Sequence, residues 1–393
     1  MRHISDDERR ARLARRHGLA EPLSSVDEAT RAMTVLHATE AASVHLALWA
    51  RVGGVTVADV DEALYDARTL VKQLAMRRTL FVFPRDLLPA AWGSAAARVA
   101  EQQRALLAKN VAAAGIAEDP AAWIEAACTA VLDVLGDGTP RTTAELRASV
   151  PELEGRVTIG TPEKKWGGEF PIAPRVMTLL GADGRVLRGP NAGHWRLNRP
   201  TWVRADHWLD ERPEPWPQDK AYAELVRRWL RTFGPGTEGD IVWWLGATKT
   251  VVRRALGDLG AVQVSLDGRD PGWVLPDDTE PVEPGQPCAA LLPTLDPTVM
   301  GWKDRTFYLD PADRPYLFDV NGNAGNTAWW DGRIVGCWVQ DDDAVVRVIP
   351  RGRLPRGARA ALDARAEALT AWLDGTRIVN VYASPQMRGA TLT

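Results

Sequence analysis

Between Lys220 and Pro276 the chain punctuates itself in an order that leaves few folds open. An amphipathic pattern runs from Lys220 to Phe233 and is broken by Gly-Pro-Gly-Thr. Thr237 then opens EGDIVWWLG, with Asp240 three residues on, the spacing of a reciprocal helix cap. Thr248 opens a second capped run, KTVVRRALGDL. AVQVSL and WVLP follow, separated by the turn-forming DGRDPG. Three helices closed by a β-hairpin is the order that results.

That order is the one found in winged helices. There the third helix enters the major groove and the β wing touches the backbone. The same succession is legible twice earlier. Ser25 to Asp27 read as the cap of a helix through Val35, Ser43 to Val52 as a second helix, and VADVDEALYDARTLVKQLAMRR as a third. TLFVF is a β run stopped by Pro84, and residues 86–115 return to helix. Further on, Ala121 to Leu135, TTAELRASV and APRVMTLLG predict three helices, with GRVLRGP and HWRLNRPTWV as the wing. A loop with a basic and aromatic centre, GTPEKKWGGEFP, interrupts this second unit.

From about 286 the character changes to short β runs divided by Gly, Asp, Asn and Pro. One helix, Pro355 to Leu373, intervenes, and RIVNVYA resembles a last strand. Asn321, Asn323 and Asn326, alternating with glycine, read as turn chemistry. The expected fold class is therefore α+β, three tandem winged-helix units followed by a small C-terminal β-barrel. The expected boundaries are 1–118 for the N-terminal helices and first unit, 119–212 and 213–284 for the next two, and 285–393 for the barrel. No low-complexity linker divides them, so they should pack together.

Composition removes several classes. The net charge is −3 over 393 residues, so any nucleic-acid surface must be local. Cys128, Cys288 and Cys337 are odd in number, and no pair has metal-ligand spacing. No apolar run of about 18 residues is present, so no membrane span is expected. Residues 5–17 are charged and helix-prone, with Leu13 as their main apolar anchor.

The stretch MTVLHATEAASVHLALWAR concentrates chemistry at a helix joint. His37, Thr39 and Glu40 lie between two helical patterns, while His45 lies inside the apolar one and reads as a core residue. In extended backbone residues two apart share a side, which would pair His37 with Thr39. If the helix continued, His37 would pair with Glu40 instead. The same residues also fit a plain helix cap.

Several stretches carry a resemblance. LALWARVGG, MRRTLFVFPRDLL, AELVRRWLRTFGPGTEGDIVWWLG, LLPTLDPTVMGWKDR and DGRIVGCWV are similar to runs in the winged-helix DNA glycosylases. That family includes enzymes that unhook interstrand crosslinks and protect producers of genotoxic antibiotics. The similarity covers nearly the whole chain from about residue 25. It implies tandem winged helices, a C-terminal barrel, monomeric binding of double-stranded DNA, no cofactor and no metal. The family's catalytic motif is Gln, an aliphatic residue, then Gln or Asp. Those polar positions fall on His37 and Thr39, so this sequence departs from the pattern at both.

The expected activity is monofunctional hydrolysis of the N-glycosidic bond of alkylated purines, crosslinks included. A neutral His37 would accept a hydrogen bond from the attacking water or act as general base near neutral pH. Thr39 would hold the same water, and Glu40 would set negative charge near the sugar cation. No lysine at the joint points to a lyase step. The expected setting is the cytoplasm, in association with the nucleoid. Four basic clusters are candidates for phosphate contact: Lys72 with Arg77 and Arg78, Lys164 with Lys165 and Trp166, Arg185 with Arg188, Arg196 and Arg199, and Lys249 with Arg253 and Arg254. Asp296 and Trp302 are candidates for contact with the lesion, Asp296 alternatively as an organiser of its turn. A non-catalytic DNA-binding protein would share the basic clusters but release no base. A scaffold or ligand sensor would show no salt-dependent DNA affinity.

Overall fold

The computed structural model of the chain describes residues 1–160 and 167–389. Three small sheets share one strand order. In the first, Leu36–His37 pairs with Leu80–Pro84, which pairs with Leu70–Leu74. In the second the order is Arg141–Thr142, Pro200–Arg204, Val186–Asn191. In the third it is Gly236–Thr237, Gly272–Val274, Val262–Leu266. Each time a two-residue strand between the first and second helices meets the last strand of its unit, antiparallel.

The caps explain this economy. Thr142 and Thr237 hold extended backbone, ψ 160 in both, so each can end a strand and still start a helix. Each hydroxyl accepts from the backbone N–H three residues on, and Glu145 or Asp240 reaches back to the cap's own N–H.

Several elements differ from the sequence expectation. The pattern after Thr56 is not one helix to Arg78. Helical backbone ends at Asp66, Arg68 turns through a positive φ of 55°, and Leu70–Leu74 is a strand. Pairing with Leu80–Pro84 outweighs the helical spacing, because both faces of this strand can be buried. The helix expected over 86–115 is two, Leu88–Trp92 and Ala95–Ala113. They break at Gly93, where any Cβ would meet the Trp216 carbonyl at 2.1 Å. The second unit's loop carries an extra hairpin, Arg156–Ile159 with Gly168–Pro171.

At the N-terminus, helix Asp6–Arg16 buries Arg9, Arg10 and Arg12 beside Leu13, the expected main apolar anchor. Arg12 is held by Glu8, Asp278 and the Glu280 carbonyl, and Arg9 lies 3.7 Å over the Phe307 ring. Arginine stems pack like hydrophobes when their heads are satisfied. The preceding His3–Ile4 adds a parallel edge to the third sheet.

The second unit encloses its own core around Ile124, Val176, Met177 and Leu180. The first and third units share one core with the C-terminal region, through Leu48, Phe83, Trp229, Phe233, Trp302 and Tyr308. Strands Ala289–Leu292, Thr327–Trp330, Arg333–Gln340 and Val346–Pro350 pair antiparallel in chain order. Helix Ala358–Leu373 covers them through Leu362 and Leu369. Among the described residues this sheet stays open, so the expected closed barrel is not found there. RIVNVYA forms no strand either. Asn326 is buried rather than a turn residue: it accepts from Thr294 and donates to the Trp338 carbonyl, across the sheet. No helix among the described residues is long and apolar enough to cross a membrane.

Candidate active site

His37 ends a strand, opposite Phe81, and the Ala38 N–H still bonds the Leu80 carbonyl at 2.9 Å. Helix Ala41–Trp49 starts only after Glu40. The joint is thus extended, and His37 and Thr39 share a side: the Thr39 hydroxyl lies 3.4 Å from His37 Nδ1. The helical alternative, which would pair His37 with Glu40, is not the one adopted. Glu40 occupies the N-cap position but its side chain does not cap the helix. Its carboxylate accepts instead from the backbone N–H of Tyr382, at 2.9 Å.

Burial sets the electrostatics. The His37 ring is 7% exposed, edge-on to Phe81 at 5.0 Å. Desolvation, reinforced by the Arg77 guanidinium, pushes its pKa down to about 3. The imidazole is therefore neutral and can accept a hydrogen bond, but it is too weak a base for the near-neutral role that sequence allowed. Burial pushes the Glu40 carboxyl up, and the Tyr382 amide pulls it partly back. Arg77 lies 4.1 Å from the Trp243 ring and Arg305 5.4 Å from the same ring.

His45 is buried, as a core histidine would be. It is not idle there: Nε2 lies 3.1 Å from Asp61 Oδ1, and the ring packs on Trp195 of the second unit at 4.8 Å.

The other sequence candidates scatter. Asp296 and Trp302 are both interior. Asp296 pairs with Arg51 and caps Pro297–Met300, and the Trp302 indole donates to the Phe233 carbonyl. Lys72 is buried; its ammonium bonds the Tyr65 hydroxyl at 2.6 Å and desolvation pushes it down to about 8. It shares a cavity of about 50 Å³ with Arg188, which stacks 3.7 Å over Trp202 and is pushed down to about 10. Arg253 is paired with Glu238 and Arg254 with Asp219. Arg78, Arg199 and Lys249 are exposed, Arg185 and Arg196 half-buried. Lys164, Lys165 and Trp166 lie outside the described residues.

The repeated helix-and-hairpin units and the polar joint between helices define a DNA-acting protein of known kind. The family model described as DNA glycosylase AlkZ-like matches residues 30–372, and the chain belongs to that family. It is a DNA glycosylase, an enzyme that cleaves the bond between base and sugar. Among solved structures, its fold is similar to that of the Streptomyces sahachiroi DNA glycosylase AlkZ, with a TM-score of 0.71 and 21% sequence identity. That likeness covers 96% of this chain and 98% of the other. No curated protein matches the chain.

Proposed function

We propose that this glycosylase hydrolyses the N-glycosidic bond of alkylated purines in double-stranded DNA, interstrand crosslinks included, with the reacting sugar at the His37–Thr39 joint. The observation that carries this reading is the extended joint, which sets an imidazole nitrogen and a hydroxyl 3.4 Å apart on one side. An N7-alkylated purine already bears positive charge, so breaking the C1′–N9 bond returns the electron pair to a neutral base. What remains is an oxocarbenium-like sugar, which needs a positioned water and nearby negative charge. Neutral His37 accepts a hydrogen bond from the water, and the Thr39 hydroxyl holds the same water. Glu40 supplies the anionic charge on the sugar side. The proton leaves to solvent once oxygen has added to C1′.

The rest of the chain is read accordingly. The three repeated units are winged helices bounded near 1–118, 119–212 and 213–284, with the open sheet and its helix as the fourth region. The protein works as a monomer, associated with the nucleoid. Arg78, Arg185, Arg196, Arg199 and Lys249 are read as phosphate contacts, and none of them forms an ion pair among the described residues. The decisive test is base release from duplexes carrying N7-alkylguanine or a crosslink. His37→Ala should remove release and leave DNA affinity intact; Thr39→Val should slow it by about 10²-fold. Wild-type release by His37→Ala would end this assignment of the site.

A further inference from the structure

The segment 376–389 lies beyond the residues matched by the family model. It is fixed at both ends. The Ile378 N–H donates to Gln340 Oε1 at 2.8 Å, and Gln340 Nε2 donates to the Thr376 carbonyl. Further on Ser384 is fully buried, and the Gln386 N–H donates to the Tyr316 carbonyl at 3.0 Å. Midway, the amide of Tyr382 donates to Glu40 at 2.9 Å. The segment is thereby pinned to the joint itself.

From Val379 its sequence alternates, Val379-Asn380-Val381. In a strand such alternation lays one apolar row on a core. Here no strand forms and the apolar row faces outward: Val379 is 77% and Val381 72% exposed. Ile378 and Asn380 are the ones turned partly inward. Two β-branched apolar side chains are held out on a tethered segment, one of them next to Tyr382, whose amide binds Glu40. The chain is a DNA glycosylase, so the body that arrives at this joint is a duplex. Proteins that distort DNA insert aliphatic side chains between base steps.

We propose that Val379 and Val381 form an apolar wedge that enters the base stack beside the lesion, with Glu40 as the positioning residue that holds the wedge at the joint. This rests on the joint being the catalytic site, but the two ideas fail separately.

The test uses the full chain and a duplex with N7-methylguanine next to 2-aminopurine, whose fluorescence rises on unstacking. Wild-type binding should raise the fluorescence. The double variant Val379→Ser/Val381→Ser should lose the rise and lose at least about tenfold in kcat/KM, with its melting temperature unchanged. Val379→Leu/Val381→Leu should keep both. His37→Ala should keep the fluorescence rise while losing base release. Unaltered fluorescence and rate in the serine variant would overturn the wedge. Base release surviving in His37→Ala would overturn the catalytic assignment, while the fluorescence would still judge the wedge.

Discussion

Arg51 grips both carboxylate oxygens of Asp296, at 2.7 and 2.9 Å, and neither side chain reaches solvent. The same guanidinium donates to the Thr298 hydroxyl, which in turn lies 2.9 Å from Nδ1 of buried His17. His17 Nε2 then donates to the Thr232 carbonyl. One end of the helix behind the His37–Thr39 joint is thus locked to the N-terminal segment, the third unit and the C-terminal region together. Removing one partner leaves an unpaired buried charge. Arg51→Met should cost about 3–5 kcal/mol, whereas Arg51→Met/Asp296→Leu should be milder than either single change. Thermal unfolding of the three variants checks this, and additive losses would show that the pair does not act as one unit.

The pH dependence of base release should carry no imidazole break. His37 has a lowered pKa, about 3, so it becomes charged only far below the working range. Glu40 has a raised one, so its anionic form is lost as pH falls through a value above the ordinary 4.5. The acid limb of kcat/KM should therefore lie above the usual glutamate range and disappear in Glu40→Gln. A break near 6.5 that vanishes in His37→Ala would contradict the burial argument.

Salt dependence should separate free from committed cations. Each phosphate contact contributes about 0.9 to the slope of log affinity against log salt. Arg78→Ala or Lys249→Ala should reduce that slope by about one contact each. Arg253→Ala should change it little, because its guanidinium already holds Glu238 at 2.7 Å. Titrations at several salt concentrations distinguish these outcomes.

Asp240 does two jobs that fasten the third unit. Its carboxylate completes the cap with Thr237 and also accepts the N–H groups of Lys303 and Asp304, at 2.9 and 3.1 Å. Asp240 is buried, so Asp240→Ala should strand these donors and cost about 2–3 kcal/mol, visible as a lowered denaturation midpoint.

Local signals carried the elements well where a cap and a break agreed. Thr142, Thr237 and Thr248 are read from the sequence as caps because capping acts over three residues. Spacing alone misled at Leu70–Leu74, where a partner strand decides between two periodicities, and at 379–381, where alternation found no strand to join.

The sequence by itself determined that three runs of helices, each followed by β structure, succeed one another, and that His37, Thr39 and Glu40 stand between two helices. Tertiary structure alone decided what those groups are. Burial against Phe81 and beside Arg77 made the imidazole neutral. The tail, more than three hundred residues away in the chain, claimed Glu40. Asp296 became the buried anchor of Arg51. Capping and turn preferences act within a few residues, so they are written locally. Desolvation and charge pairing depend on which distant segments close over a side chain, and no local pattern records that.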